Sequence, residues 1–284
     1  MPPVSDERLD LACRLNHEFP LGSLRDRPPQ RATPDRYRIP LRLIQTTEQN
    51  RFGRNHLLTL EQLRDRNPEL QVELWDAKQR DAYMRERWGQ HPMGGLYERA
   101  CFGAMRADLF RYCVIHDLGG FYLDINKLLI QPLLSFVTPE SEGLISFEQT
   151  WCQLPAPARA AQRLSHPDRY LVQWCFGFRA GHPLLTMVLE AIMAQSATYE
   201  GRQFNKPGEA IRSFTGPGIF TATVRHYLDQ HNDRHLVQAG IDFQGTLRYP
   251  AGRDVMHLIA PHYKTARDQV ILKTPAQCGS VQLK

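Results

Sequence analysis

The pattern of apolar and polar positions predicts alternating strands and helices in the first half of the chain. Residues 39–47 (IPLRLIQTT) form a short, β-rich apolar run that is typical of a buried strand. Leucines then recur at helical spacing over residues 57–63 until Asn67 and the following proline end the helix. Residues 70–76 (LQVELWD) predict a second strand. A strand, a helix and a strand in this order are typical of the opening of a nucleotide-binding α/β sheet.

The middle of the chain places an acidic residue at the end of a predicted strand. Helical spacing predicts a single long helix over residues 97–118, which ends at Gly119 and Gly120. Residues 121–130 (FYLDINKLLI) predict a strand that turns at Asp124, and residues 143–148 predict another. Ligands of open α/β sheets gather at the carboxyl ends of the strands, so Asp124 lies where a site is expected.

The rest of the chain continues the mixed order and shows no internal repeat. A strand, a Gly-His-Pro turn and a helix are predicted over residues 175–195, a further helix follows residue 217, and residues 255–264 form the last apolar element. We therefore predict an α/β fold with a mixed, mostly parallel sheet flanked by helices. We expect one domain over residues 38–270, an Arg/Pro-rich arm over residues 1–37 and a C-terminal tail over residues 271–284.

Composition narrows the class of protein without selecting a function. The chain has 284 residues, of which 42% are hydrophobic, so it can bury a substantial core and is not a fibrous or low-complexity protein. Its formal charge of +5 suits an anionic ligand such as a nucleoside diphosphate. The basic residues are dispersed and do not alternate with aromatic residues, which disfavours nucleic acid as a partner.

Cysteine spacing and hydropathy indicate an intracellular protein. The six cysteines contain no Cys-x-x-Cys pair, which favours free, mostly buried thiols over a zinc ribbon or a disulfide framework. There is no run of eighteen apolar residues and no apolar core of a signal peptide. We therefore expect a cytoplasmic location, and the basic charge also allows peripheral association with the inner face of the membrane.

Two segments of the middle region carry a resemblance to a known family. They are Ala107-Asp108-Leu109-Phe110-Arg111-Tyr112 and Gly119-Gly120-Phe121-Tyr122-Leu123-Asp124-Ile125-Asn126. Together they resemble the sugar-binding region containing the DXD motif of the initiating-mannosyltransferase-like family 32 glycosyltransferases. The same pattern is similar to that of the glucosylating clostridial toxins and of bacterial capsular polysaccharide transferases. The flanking segments Ile44-Gln45-Thr46 and Leu74-Trp75-Asp76 are similar to the first two strands of that family.

The resemblance implies a GT-A fold and transfer of a sugar from a nucleoside diphosphate sugar to a glycan or another hydroxyl acceptor. It also implies retention of the anomeric configuration and assistance by a divalent cation, Mn²⁺ or Mg²⁺. This chain departs from the family pattern because Asn126 replaces the second acidic residue, and Thr47 stands where the first strand usually carries Trp.

The metal site implied by the resemblance combines one carboxylate with neutral ligands. Charge grows on the leaving diphosphate as the anomeric bond breaks, and a divalent cation stabilises it. Asp124 is the natural protein ligand, and Asn126 offers a neutral carbonyl oxygen two residues further on. His262 is a candidate third ligand, by analogy with GT-A enzymes that supply one near the C-terminus. We expect a weak site in which the nucleotide holds much of the metal.

The donor site implied by the resemblance uses Asp108 and Arg111 as catalytic residues beside Asp124. Their spacing places Asp108 and Arg111 on one helix face, so the alternative is an exposed ion pair of little consequence. As donor-sugar contacts, their replacement should lower turnover with little change in melting temperature. The remaining candidate contacts to the nucleotide sugar are Gln45, Thr46, Tyr122, Leu123 and Lys264. Glu148 and Gln149 are acceptor-side candidates.

Two other functions fit the same residues. The first is a catalytically degraded GT-A domain that binds a nucleotide sugar or a carbohydrate, which Asn126 in place of an acid would favour. The second is a nucleotide-sugar hydrolase or phosphotransferase on the same fold, which would cleave the donor without an acceptor. No Ser-His-Asp order and no phosphate-binding glycine loop supports another enzyme class.

Overall fold

The computed structural model of the chain describes residues 21–31, 36–248 and 263–279. A central sheet of seven strands organises this part of the chain. The strands are β1 (Arg42–Thr46), β2 (Gln71–Trp75), β3 (Gly120–Leu123), β4 (Leu128–Leu129), β5 (Gly143–Trp151), β6 (Arg169–Leu171), β7 (Cys175–Phe178), β8 (Gln203–Phe204), β9 (Leu236–Ile241), β10 (Leu247–Arg248) and β11 (Gln269–Val270). The sheet runs in the order β2-β1-β3-β7-β5-β6, and β9 also pairs with β5. The remaining strands form two small pairs, β10 with β4 and β11 with β8.

Nine α-helices of five or more residues accompany these strands in the described residues. They are α1 (Arg54–Arg66), α2 (Ala77–Trp88), α3 (Pro92–Arg99), α4 (Gly103–Leu118), α5 (Ala158–Arg163), α6 (Pro183–Tyr199), α7 (Pro207–Phe214), α8 (Pro217–Gln230) and α9 (Pro275–Gly279). Successive residues of a strand belong to different hydrophobic core clusters. Ile44 and Tyr122 lie in one cluster, and Leu43 and Phe121 lie in a second one. This alternation follows from the two-residue period of a strand buried on both faces.

The pairing directions bring several strand ends to one edge of the sheet. β1 is parallel to β2 and to β3, β7 is antiparallel to β3, and β5 is antiparallel to β7 and β6 but parallel to β9. The carboxyl ends of β1, β2, β3 and β5 therefore meet the start of β7 at the same edge. The predicted α/β fold, with a mixed sheet flanked by helices, is confirmed; three of its six pairings are parallel and three antiparallel.

The single long helix expected over residues 97–118 is wrong, because the chain divides it into α3 and α4. Ala100 pairs with Leu272 in an isolated antiparallel bridge, and the Cys101 amide donates to the Ile271 carbonyl at 2.9 Å. These residues exchange helical hydrogen bonds for contacts with a segment about 170 residues away along the chain. Apolar spacing continues on both sides of the break because both helices pack on the same core cluster.

The double glycine after α4 is required by the backbone. Gly119 and Gly120 have φ angles of +65° and +108°, a region that other residues rarely adopt. A Cβ atom on Gly120 would lie 2.9 Å from the Arg42 carbonyl oxygen of β1. The two glycines therefore allow a sharp entry into β3 and a close approach to β1, which sets the start of the strand that ends at Asp124.

The ends of the described chain pack on this domain. Leu24 is buried, and Gly22 pairs with Phe52. Ile271 and Leu272, which we assigned to the C-terminal tail, are fully buried in the core, so the tail is not separate at these two positions. The predicted apolar element over residues 255–264 lies outside the described residues except for its last two positions.

Two of the cysteines are buried thiols, as the sequence predicted. They are Cys113 and Cys175, and burial raises the pKa of both thiols well above its usual value. Within residues 21–31, 36–248 and 263–279, no helix is both long enough and apolar enough to cross a bilayer.

Candidate active site

The carboxylate of Asp124 lies at the shared edge of the sheet, directly after β3. The main-chain amide of Asp124 donates to the Trp174 carbonyl at 2.9 Å, which extends the β3–β7 ladder by one residue. The chain then turns, and the Lys127 amide donates to the Asp124 carbonyl at 3.0 Å. The side chain of Asp124 is 28% exposed. The sequence placed this residue correctly at the end of a strand, where a ligand can reach it.

One guanidinium holds Asp124 together with Asp108. Arg111 Nη2 lies 3.0 Å from Asp124 Oδ1 and 3.2 Å from Asp108 Oδ1. The Tyr122 hydroxyl donates to the same Asp124 oxygen at 2.9 Å. In the described part of the chain, no hydrogen bond or ion pair reaches Asp124 Oδ2. The carboxylate is thus fixed through Oδ1, which leaves Oδ2 available to a ligand.

The pair formed by Asp108 and Arg111 is buried, which excludes the alternative of an exposed ion pair. Asp108 is 7% exposed and Arg111 is 4% exposed. Arg111 Nη1 donates to Gln173 Oε1 at 2.9 Å and to the Gln173 carbonyl at 3.3 Å, and its Nε donates to the Ala107 carbonyl at 3.3 Å. Every nitrogen of the guanidinium therefore has a protein partner.

Both oxygens of Asp108 are also engaged. Gln173 Nε2 donates to Oδ1 at 3.1 Å, and the Thr215 hydroxyl donates to Oδ2 at 2.9 Å. Burial raises the pKa of Asp108 to about 6, although Arg111 and both hydrogen bonds oppose this rise. The contacts of Asp108 make it a residue that positions Arg111 and, through it, Asp124.

Asn126 supplies a second oxygen beside the strand end. Its Oδ1 atom is buried and has no hydrogen-bond partner among the residues that the structure describes. A buried carbonyl oxygen without a partner is costly, and a hard divalent cation is a suitable partner for it. The described residues contain no group of three His, Cys, Asp or Glu side chains around one point, and His262 lies outside them. Asp124 and Asn126 therefore fit a cation held by few protein ligands.

Positive charge surrounds the same turn. Lys127 is buried, and its Nζ lies 4.3 Å from the centre of the Trp174 ring. Burial lowers the pKa of Lys127 to about 8, nearby Asp124 opposes this, and Lys264 lowers it further by repulsion. Lys264, which the sequence suggested as a phosphate contact, thus lies close enough to Lys127 to interact with it electrostatically.

Glu148, in the C-terminal half of β5, is connected to Asp124 and Lys127 through Trp174. The Trp174 indole Nε1 donates to Glu148 Oε1 at 3.3 Å, and Arg212 Nη2 lies 3.8 Å from Glu148 Oε2. Burial raises the pKa of Glu148. Trp174 therefore contacts three parts of the site. Its carbonyl accepts a hydrogen bond from the Asp124 amide, the Lys127 ammonium lies over its ring, and its indole nitrogen donates to Glu148.

Besides Asp108 and Arg111, four of the predicted contacts to the nucleotide sugar have buried side chains. They are Gln45, Thr46, Tyr122 and Leu123. Gln45 Nε2 donates to the Leu123 carbonyl at 3.4 Å, whereas Gln45 Oε1 has no partner among the described residues. The Thr46 hydroxyl donates to the Trp75 carbonyl at 2.9 Å. The hydrogen bonds of Gln45 and Thr46 hold the ends of β1, β2 and β3 together.

The sequence did not single out Lys127, Gln173, Trp174 or Thr215 as site residues. Gln173 and Trp174 precede a predicted strand, and in an antiparallel neighbour of β3 that position falls beside Asp124. The missing information was the direction of β7. Thr215 belongs to a Thr-Gly-Pro turn that the sequence shows, but its contact with Asp108 spans 107 residues.

The comparisons with known proteins concern the region of the chain that contains this site. Residues 53–148 match the family model described as the glycosyltransferase sugar-binding region containing the DXD motif. The initiation-specific alpha-1,6-mannosyltransferase of Candida albicans is 25% identical over 194 residues, which are 64% of this chain and 50% of the relative. The enzyme of the same name from Schizosaccharomyces pombe is 24% identical over 198 residues, 66% of this chain and 48% of the relative.

A solved structure, the PaToxG glycosyltransferase, superposes with a TM-score of 0.49 at 13% identity, over 81% of this chain and 78% of that one. The chain spans about half the length of the two mannosyltransferases that it matches. Asp108, Arg111, Asp124 and Asn126 all lie within the matched residues 53–148. The resemblance predicted from the sequence is therefore confirmed, and residues 53–148 are similar to the DXD-containing sugar-binding region of the glycosyltransferases.

Proposed function

We propose that this protein is a glycosyltransferase that moves a sugar from a nucleoside diphosphate sugar to a hydroxyl group of a glycan. The observation that carries the proposal is the Asp124 carboxylate, which Arg111 fixes at the open edge of the sheet within the matched region. The distant mannosyltransferase relatives make a mannosyl group the first donor sugar to test.

The protein residues supply binding, orientation and charge. Asp124 Oδ2 and Asn126 Oδ1 are the two oxygens that would hold Mn²⁺ or Mg²⁺, and a bound cation would neutralise charge on the leaving diphosphate. Arg111 and Tyr122 keep the Asp124 carboxylate in one orientation, so little reorganisation is needed when the donor binds. Lys127 and Lys264 add positive charge at the place where the diphosphate would lie.

The acceptor would approach from the side of Glu148, since this carboxylate contacts Trp174 on the side of the site away from β1 and β2. We expect the anomeric configuration to be retained, with the leaving diphosphate taking the proton of the acceptor hydroxyl. In that mechanism Glu148 binds and orients the acceptor and is not required as the base.

A nucleotide-sugar binding module is the second candidate function. The neutral Asn126 favours it, because one carboxylate gives a cation less negative charge than two. Under this alternative the donor and the metal bind, but no sugar is transferred.

The test combines donor binding with transfer. Melting curves of the protein with UDP-, GDP- and other sugar nucleotides, with and without Mn²⁺, identify the donor, since a ligand at about 100 times its Kd adds roughly 2.7 kcal/mol of stability. Transfer from that donor to mannose oligosaccharides is then measured beside Asp124→Asn as the matched control. Donor binding with transfer supports the enzyme, binding without transfer supports the binding module, and no stabilisation by any sugar nucleotide contradicts both.

A further inference from the structure

We propose that His56 is a positioning residue for the cation site, because it holds the main chain of the turn formed by Asp124, Ile125 and Asn126. We call residues 124–126 the metal turn. The inference deepens the proposed function and rests on it for the identity of the ligand. His56 does not touch the cation in this proposal and acts only through the Ile125 carbonyl.

The first step is the contact itself. His56 lies in the first turn of α1 and is 1% exposed. Its Nε2 atom lies 2.8 Å from the Ile125 carbonyl oxygen. A carbonyl oxygen can only accept, so Nε2 carries a proton and donates it to this bond. Nδ1 has no partner among the described residues, so in that part of the chain the bond to Ile125 is the polar contact that fixes the ring.

The second step is the position of Ile125, which lies between the two residues whose oxygens would bind the cation. Its side chain packs against a small hydrophobic cluster under α1, and its carbonyl accepts from His56. The His56 ring meets the Phe52 ring edge-on, with centroids 5.1 Å apart. The cluster consists of Leu24, Phe52, Leu60 and Leu74. The middle of the metal turn is therefore anchored to α1 by its main chain and by its side chain.

The third step compares the bonds that hold the end of β3. Three successive carbonyl groups accept hydrogen bonds there. That of Leu123 accepts from Gln45 at 3.4 Å, and that of Asp124 accepts from the Lys127 amide at 3.0 Å. The third and shortest is the bond from His56, which joins the turn to a helix 69 residues earlier in the chain. The hold on the turn therefore depends strongly on α1.

The fourth step is the consequence for a cation. Asp124 Oδ2 and Asn126 Oδ1 are few ligands, so their affinity depends on how well they are held in place before the cation binds. Without the His56 bond, the backbone on either side of Ile125 can turn, and the two oxygens then move relative to each other. Side chains that orient metal ligands in this way typically contribute about 10- to 100-fold in metal affinity.

The alternative is that His56 only stabilises the core under α1. Its replacement would then lower the melting temperature, and the folded variant would bind the cation as the wild type does. Cation affinity therefore separates the two roles.

The experiment compares His56→Phe, His56→Gln and a matched control on the same helix. The phenylalanine keeps a flat ring beside Phe52 and removes the donor, whereas the glutamine keeps an N–H donor near the place of Nε2. The control is Asn67→Ala. Asn67 is 1% exposed, follows the last residue of α1, and accepts from the Leu133 amide at 2.7 Å, a contact that spans 66 residues and lies outside the metal turn.

The first measurement is calorimetric titration of Mn²⁺ in the presence of GDP and, separately, of UDP. We expect His56→Phe to raise the Kd of Mn²⁺ at least about tenfold and His56→Gln to stay within about threefold of the wild type. Asn67→Ala should lose stability and keep the Mn²⁺ affinity of the wild type. If His56→Phe does not fold, His56→Asn takes its place, because its shorter side chain brings the amide nitrogen away from the Ile125 carbonyl.

The second measurement is hydrogen exchange of the Lys127 amide, which closes the turn on the Asp124 carbonyl, without metal or nucleotide. Exchange should be faster in His56→Phe than in the wild type, His56→Gln and Asn67→Ala. If the wild type binds no Mn²⁺ and transfers no sugar, the proposed function fails, and faster exchange in His56→Phe alone still shows that His56 holds the turn.

Two results overturn the inference. The first is an unchanged Mn²⁺ affinity in His56→Phe when the wild type binds the cation, or unchanged exchange when it does not. The second is an equal change in His56→Phe and Asn67→Ala, because the effect would then be a general loss of stability.

Discussion

Arg111 Nη2 lies 3.0 Å from Asp124 Oδ1 and thereby joins the buried face of α4 to the open edge of the sheet. The same nitrogen lies 3.2 Å from Asp108 Oδ1, so one positive charge serves two carboxylates. The consequence is that the orientation of Asp124 depends on a residue that solvent hardly reaches.

Replacing Arg111 should lower stability as well as activity. Arg111→Met leaves Asp108 and Asp124 without their shared cation, and removing one partner of a buried ion pair typically costs about 3–5 kcal/mol. This differs from the expectation from sequence alone, in which turnover falls with little change in melting temperature, because the pair is buried. Urea unfolding of Arg111→Met beside Arg111→Lys measures the effect. The lysine keeps the charge without the planar fork, so it should lose less. An unfolding midpoint of Arg111→Met equal to that of the wild type would contradict the assigned contacts.

Replacing Asp124 by Asn should separate activity from stability. The amide keeps an oxygen for the Tyr122 hydroxyl, and Arg111 retains Asp108 as its ion-pair partner. The negative charge at the strand end is lost, so we expect turnover to fall at least about 100-fold, or about 2.7 kcal/mol of transition-state stabilisation. The free energy of unfolding should change by no more than about 1 kcal/mol, the usual range for a partly exposed ion pair. Initial rates at saturating donor and urea unfolding check both values, and near-normal turnover would remove Asp124 from the site.

Replacing Asn126 by Asp should tighten binding of a divalent cation. A second carboxylate would replace a neutral oxygen that has no hydrogen-bond partner among the described residues. Without metal, two carboxylates two residues apart repel each other, so stability should fall and then recover when Mn²⁺ is added. Calorimetric titration of Mn²⁺ in the presence of nucleotide measures the affinity, with Asn126→Ala as the control that should weaken it. Equal affinity in all three proteins would show that Asn126 is a turn residue only.

Stability should depend on pH through Asp108. Burial raises the pKa of this carboxyl group from 3.8 to about 6. A carboxyl group with a raised pKa in the fold binds its proton more tightly in the native state than in the unfolded state. Its contribution therefore favours the native state at low pH and is lost as pH rises from about 4 to about 6, with a slope of at most about 1.4 kcal/mol per pH unit. Urea unfolding of the wild type and of Asp108→Asn across this range tests the direction. The variant lacks the group, so the free energy of unfolding of the wild type should fall relative to that of the variant as pH rises over this range. Parallel curves of the free energy of unfolding against pH would refute the shift.

The local pattern of the sequence was sufficient for the elements around Asp124. Short apolar, β-rich runs predict β1, β2 and β3, and Gly119 with Gly120 predicts the end of α4 because both require positive φ angles. The position of Asp124 at a strand end follows from the same signals. Asp108 and Arg111 share a helix face through their spacing alone, as their ion pair shows.

Contacts between distant segments decided the rest. Whether Arg111 meets Asp124, Gln173 or solvent depends on how β3 and β7 pair, and Gln173 is 62 residues from Arg111 along the chain. The break between α3 and α4 likewise depends on Ile271 and Leu272, whose pairing with Ala100 and Cys101 replaces helical hydrogen bonds that the spacing favours.

The sequence by itself therefore determined the fold class, the strand end that carries Asp124 and the residue types available for the chemistry. The tertiary structure decided that Asp108 and Arg111 are buried supports of Asp124, that Trp174 joins Asp124 to Glu148, and that Trp151 stands exposed at the end of β5. Helical and strand periods and glycine conformations are local properties, and a sequence window contains them. Burial, ion-pair partners and bulges depend on which strands become neighbours, and that choice is made only when the whole core packs.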